Sequence, residues 1–264
     1  MAMATALQDW LVPQWPAPNG VKALFTTRTA GGSLSPYDRM NLGLHVGDDP
    51  QQVATNRALL QGVMGVRPVF LRQVHGCGLR EVHSRTGDDE EADGAVACSP
   101  GVACTVMTAD CLPILLCDRA GTRVAALHAG WRGLAGTQGE GIVEAFFKQI
   151  MSAAPVEYAQ PATEFIAWLG PCIGPKAFQV GSEVRSAFLS GHPDAAQCFT
   201  QQPGGQWLAD LALLARQRLQ SLGLHAVFGN DGSAPWCTVG NPLRFFSYRR
   251  NRVTGRHAAC IWLE

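Results

Sequence analysis

The chain carries no surplus of charge: 21 basic and 21 acidic residues balance to a formal net charge of +0, and neither sign forms a long block. That removes the electrostatic footprint expected of a nucleic-acid or anionic-membrane binder. A small neutral or locally held anionic substrate is the expected partner instead. Long apolar runs are also lacking, so nothing predicts a bilayer span. Met1 to Trp10 shows no basic stretch followed by an apolar one, and without that secretory pattern the expected location is cytoplasmic. Nine cysteines are an odd number, which disfavours a secreted disulfide framework and predicts reduced, mostly buried thiols. Internal repeats and low-complexity tracts are absent. Histidines number only seven, and no two are separated by a single residue. That is too little imidazole for an electron relay through several copper ions.

What is present is apolar material. Hydrophobic residues make up 47% of the 264 and charged residues 16%, enough for a large core and too little charge for a disordered chain. Residues 1–264 are expected to form one domain, a monomer or weak homo-oligomer. Apolar and β-branched runs predict strands at Val21 to Thr27, Val69 to His75, Leu79 to His83, Val102 to Met107, Ile114 to Cys117, Val124 to His128, Phe165 to Leu169, Ala226 to Phe228, Phe245 to Arg249 and His257 to Trp262. Helical spacing predicts Gln52 to Val63, a helix through Ile142, Phe146 and Ile150, and helices at Ser182 to Leu189 and Leu208 to Leu222. The Gly-, Ser- and Asp-rich stretch from Thr29 to Pro50 is long and irregular, a property usual in functional loops. Clustered strands with intervening helices predict an α+β architecture with strand layers packed between helices.

Three of these runs end in a potential metal ligand: His75 in Gln73-Val74-His75-Gly76, Cys111 in Thr108-Ala109-Asp110-Cys111-Leu112-Pro113, and His128 in His128-Ala129-Gly130-Trp131-Arg132-Gly133. A thiolate and two neutral imidazoles suit zinc, which commonly takes three protein ligands at catalytic sites and leaves a fourth position for water or substrate. The other reading stands beside it. Cys111 lies among Leu112, Pro113, Ile114 and Leu115, where a free cysteine often serves as a small buried hydrophobe.

These blocks carry a resemblance. Together with Thr26-Thr27-Arg28, Asn41-Leu42-Gly43, Gly47-Asp48-Asp49, Asn56-Arg57, Asp93-Gly94-Ala95, Gly170-Pro171-Cys172-Ile173-Gly174, Phe245 to Arg250 and Thr254-Gly255-Arg256, they resemble the YfiH-like laccase-domain family over nearly the whole chain. The departure is Asn251-Arg252-Val253, where the family often has an acidic residue and glycine. The resemblance implies a four-layer α/β/β/α sandwich with mixed sheets, related to cysteine-dependent deamidating toxins. It implies zinc on His75, Cys111 and His128, with copper a less favoured occupant. It also implies purine nucleoside phosphorylase activity on nucleoside and phosphate, with adenosine deamination beside it. Other family members suggest two alternatives: a Cys111/His128 hydrolase that edits peptidoglycan precursors, and a copper polyphenol oxidase.

Phosphorolysis needs a grip on phosphate, which a planar guanidinium supplies through paired hydrogen bonds. Arg28, Arg249 and Arg250, with Asn41, are therefore the expected substrate-binding residues. Asp110 is expected either to transfer a proton or, in a structural reading, to bond the local turn. Trp131 and Phe246 could stack on a purine or simply pack, and Cys172 could lie near a pocket or only fill its turn. The common zinc nucleobase-deaminase signature, H-x-E with a later P-C-x-x-C, is absent. Deamination here would need a different constellation.

Overall fold

A computed structural model describes residues 9–153 and 161–264; residues 1–8 of the N-terminal segment read above lie outside the described residues. Among the described residues there are three sheets. In the first, β1 (Val21–Phe25), β13 (His257–Leu263), β5 (Val102–Thr108) and β2 (Arg67–Phe70) lie side by side in that order, with only the β2 to β5 pair parallel. The second runs β12 (Val227–Gly229), β8 (Phe165–Leu169), β6 (Leu112–Asp118), β7 (Val124–Ala129), β4 (Gly94–Ala97) and β3 (Leu79–Glu81), with parallel pairs at its two edges. A small antiparallel sheet joins β10 (Phe199–Gln201), β11 (Trp207–Ala209) and β9 (Gln179–Val180). The helices are α1 (Pro50–Met64), α2 (Trp131–Ala135), α3 (Ile142–Ala153), α4 (Ser182–Leu189) and α5 (Leu211–Ser221). This is a mixed α+β fold.

The strand period of two sorts side chains between cores. On β6, Ile114 and Leu116 join Phe146 of α3 and Leu214 of α5 in one cluster, while Leu115 and Cys117 join Cys104 and Val106 of β5 in a second. The opposite face of the four-stranded sheet, through Leu24, Met107, Cys260 and Trp262, packs on Leu60 and Met64 of α1 and on Met40 and Leu42. Both central sheets are therefore buried on both faces, which explains why β5, β6 and β7 read as continuous apolar runs.

Caps fix the helix boundaries. Asp49 accepts from Gln51 N at 3.0 Å ahead of Pro50, and Gly65, at φ 73°, closes α1. Asp210 accepts from Leu213 N at 2.9 Å, so α5 begins at Leu211 and not at Leu208, and Trp207–Ala209 pairs as a strand instead. The strand expected from Val69 to His75 stops at Phe70, because the N–H groups of Val74, His75 and Gly76 turn to the Asp93 carboxylate. The strand expected from Phe245 to Arg249 is absent. There Phe245 N donates to Asn241 O, and Phe246 N donates to the His257 imidazole at 2.7 Å, so turn and side-chain acceptors replace a ladder.

His257 is fully buried among the rings of Phe25, Phe245 and Phe246. Burial, then the charge of Arg28, holds it down at about 3 against an ordinary value of 6.5. The folded state thus favours neutral His257, and its contribution to stability is complete above pH 6.5 and lost as pH falls from there toward 3. Urea unfolding should show a falling midpoint on acidification below pH 6.5, and His257→Phe should flatten that slope. Ile114→Ala, in the filled core on β6, should cost about 2–5 kcal/mol in the same assay.

Candidate active site

The turn between β5 and β6 presents Asp110 and Cys111, β7 ends at the buried His128, and the loop after β2 carries the exposed His75. Their ligand atoms, one sulfur and two imidazole nitrogens, all lie within 4.8 Å of one another. The two imidazoles meet edge to face, with centroids 4.8 Å apart.

Asp93 organises this trio. It is fully buried at the head of β4, and its Oδ1 accepts from His128 Nδ1 at 2.8 Å and from His75 N at 2.9 Å. Its Oδ2 accepts from Gly76 N at 2.7 Å and Val74 N at 3.2 Å. Burial alone would raise this carboxyl, but the bonds from His128 and the backbone outweigh it and hold Asp93 below the carboxylate range. The bond at Nδ1 leaves His128 Nε2 free to face Cys111, as where a carboxylate on the far ring nitrogen fixes the orientation of a metal-bound histidine.

Burial pushes the Cys111 thiol up, yet the charge of His128 and the hydrogen bonds from His128 and His75 bring it down to about 6. Reciprocally, His128 is lowered by burial but raised by Cys111 and Asp93, ending at about 9. Without a metal, these opposed shifts favour a thiolate and imidazolium pair. With one, the same thiolate and two imidazoles form a donor set that fits a metal ion and leaves a coordination position open.

Backbone shapes the cradle. His75 at φ 62° and Asp110 at φ 102° occupy the left-handed region despite having side chains, a strain that persists where surrounding bonds over-determine it. Asp110 is held by Thr238 Oγ1 on Oδ1, by Arg249 N on Oδ2 at 2.6 Å, and by Ile173 N on its carbonyl at 2.9 Å. Beneath the ligands lies Gly130, where a Cβ would sit 3.0 Å from His75 Cδ2 and 3.1 Å from Cys111 Sγ.

The remaining expected residues separate. Asn41 is fully buried and bonds Gly43, Asp48 Oδ2 and Arg256 N, so it fastens loops and has no group left for a substrate. Arg28 donates from Nε to Asp38 O, from Nη1 to Pro242 O and from Nη2 to Asp38 Oδ2. Arg250 likewise uses all three nitrogens on Asn251 Oδ1 and the carbonyls of Thr238, Val239 and Phe245. Both are loop clamps, not open phosphate grips. Arg249 is exposed, with Nη1 on Gln179 O at 3.0 Å. Phe246 is fully buried against His257 and cannot stack on a ligand. Trp131 packs on the outer core under Arg132, and buried Cys172 accepts from Asn230 Nδ2.

Sequence reading missed Asp93, His45 and Arg256 as site residues. Asp93 has no ligand spacing to its partners; its signals were its place in the Asp93-Gly94-Ala95 block and at the head of a buried Gly-Ala-Val-Ala run. Arg256 acts electrostatically on Cys111 and Asp110, and His45 senses both Arg256 and His75.

Residues 22–264 match the family described as multi-copper polyphenol oxidoreductase laccase. A Pseudomonas aeruginosa protein named purine nucleoside phosphorylase is 47% identical over 260 residues, covering 98% of this chain and all of that one. The Escherichia coli purine nucleoside phosphorylase YfiH is 46% identical over 255 residues, covering 96% and 98% of the two chains. The crystal structure of a Neisseria meningitidis protein superposes with a TM-score of 0.87 at 44% identity, covering 97% of this chain and 99% of that one.

Two variants separate ligand identity from ligand placement. Asp93→Asn should leave every ligand in place yet lower zinc affinity about 10–100-fold by competition with a chromophoric chelator, and Gly130→Ala should also weaken zinc. In metal-free protein, alkylation of Cys111 by iodoacetamide should titrate near pH 6, well below an ordinary thiol.

Proposed function

The chain belongs to the multi-copper polyphenol oxidoreductase laccase family, and from that membership and the site we propose that it is a zinc-dependent purine nucleoside phosphorylase acting in the cytoplasm as one catalytic domain. The observation that carries this reading is the convergence of Cys111, His75 and His128 over a buried Asp93, joined to relatives named for that activity. Among the described residues one such ligand group occurs, which favours a single-ion site over a relay of coppers.

In phosphorolysis a phosphate oxygen bonds to C1′ of the ribose as the bond from C1′ to the purine breaks, and the base leaves with the electron pair and a proton. His75, Cys111 and His128 would hold a zinc ion, which would supply Lewis-acid charge at this centre. Asp93 keeps the His128 proton on Nδ1, and Asp110 holds the Cys111 turn through Thr238 and Arg249. That pattern favours an anchoring role for Asp110 over proton transfer. Exposed Arg249 stays a candidate substrate contact. Adenosine deamination belongs to the same reading and would draw on the same ion.

A second reading has its own support. Cys111, His128 and Asp93 form a hydrogen-bonded chain with a thiolate at one end, the arrangement of a cysteine hydrolase. Metal-free protein could therefore attack the amide carbonyl of a peptidoglycan precursor, with His128 passing its proton to the leaving amine. The segregation of cores on either side of two sheets supports the four-layer α/β/β/α description, while kinship with deamidating toxins rests on the resemblance.

Chromatography of adenosine incubations tests the choice. Zinc-loaded protein should release adenine and ribose 1-phosphate only when phosphate is present, and Cys111→Ala should abolish this together with zinc retention. Phosphate-independent turnover, or full activity in Cys111→Ala, would overturn the phosphorylase reading. Hypoxanthine or inosine would add deamination.

A further inference from the structure

Resting on the phosphorylase reading, the question is which side chain meets the phosphate. A bidentate grip needs an unused pair of guanidinium N–H groups in one plane. Arg28 and Arg250 are less available, since every nitrogen of each already donates to a protein acceptor. Arg249 directs Nη1 at the carbonyls of Ala177 and Gln179 and leaves Nε and Nη2 unbonded among the described residues, but it is exposed and lies over Phe178.

Arg256 differs. Its Nη1 donates to the carbonyls of Thr254 and Gly255, each at 3.1 Å, and among the described residues Nε and Nη2 make no hydrogen bond. The half-buried guanidinium forms no ion pair with a carboxylate among them, and Asp110, the acid it senses, is already bonded to Thr238 and the Arg249 backbone. It also interacts electrostatically with Cys111 and faces the exposed Tyr248 ring at 5.9 Å.

Its placement is built. Asn41 Oδ1 accepts from Arg256 N at 2.9 Å, Leu42 N donates to Arg256 O at 3.2 Å, and the side-chain stem crosses Gly43, where a Cβ would lie 2.8 Å from Arg256 Cγ. The irregular loop and the Thr-Gly-Arg block thus hold one cation, its binding edge open, against Tyr248, whose chain neighbour Arg249 bonds Asp110 next to Cys111. Burial, and then the charges of Arg256 and Arg57, lower His45, which favours its neutral form and leaves positive charge to the guanidinium groups. A partly desolvated cation without a carboxylate, next to a metal-binding donor set, calls for an anion.

We propose that Arg256 binds the attacking phosphate through its Nε and Nη2 edge, with Asn41 and Gly43 positioning it and His45 beside it. The incoming oxygen would then attack C1′ while the guanidinium holds the other phosphate oxygens and the purine departs with the bonding pair.

The test is calorimetric titration of inorganic phosphate into zinc-loaded wild type, Arg256→Gln and Arg256→Lys, paired with the KM for phosphate and for adenosine and with zinc content. Arg256→Gln should weaken phosphate binding about 10–100-fold and raise the phosphate KM similarly, with adenosine KM and zinc content unchanged. Arg256→Lys should recover part of the loss, because it restores charge without the paired edge. If Arg256→Gln fails to fold, Arg256→Lys carries the test through a selective rise in phosphate KM. Unaltered phosphate binding in the variants overturns the assignment, as does a parallel loss of phosphate, adenosine and zinc. Wild type that binds phosphate through Arg256 but never cleaves adenosine would sink the phosphorylase reading and leave the anion site standing.

Discussion

A single buried carboxylate sets the geometry on which the site depends. Asp93 receives one imidazole N–H and three consecutive backbone N–H groups, so it bends the chain at His75 and orients His128 in one stroke. An ionised acid with no solvent contact is tolerable only because its acceptor capacity is filled this way. The arrangement also explains why β2 ends at Phe70: the donors that would have extended a ladder are drawn to Asp93 instead.

From that hub the electrostatics propagate in a chain. Asp93 stabilises a proton on His128, and His128 stabilises the charge on Cys111. The same chain serves a metal, by offering a ready thiolate and a fixed imidazole, and serves covalent thiol chemistry when no metal is bound. Left-handed backbone at His75 and at Asp110, next to Cys111, shapes the turns that carry two of the three ligands, and Gly130 keeps the floor clear.

The legible parts of this protein are those where local pattern and tertiary need coincide. β8 and α4 run over the same residues that period and composition indicate. Cys111, His75 and His128 stand out because each ends or follows an apolar run, and the structure brings them together. The illegible parts share a cause as well: they are decided by partners distant in sequence. The backbone at Phe246 bonds an imidazole eleven residues on, so aromatic strand propensity there is overruled. Asn41, Arg28 and Arg250 look like ligand-binding residues by type, and only their partners reveal them as clamps. Arg256 was hidden for the converse reason, since nothing in its neighbours along the chain signals an unused hydrogen-bonding edge.

The position of β13 reaches beyond the finished site. The strand from His257 to Leu263 lies inside the four-stranded sheet, between β1 and β5, which come from far earlier in the chain. During synthesis, β1 and β5 therefore have no ladder with each other to form, and they must wait until the ribosome has passed residue 263 before that gap closes. Arg256 and His257 arrive with the same segment. Until then the nascent protein holds exposed strand edges, and assembly of the sheet and completion of the pocket become one late event, a topology in which long-range pairing sets the folding rate.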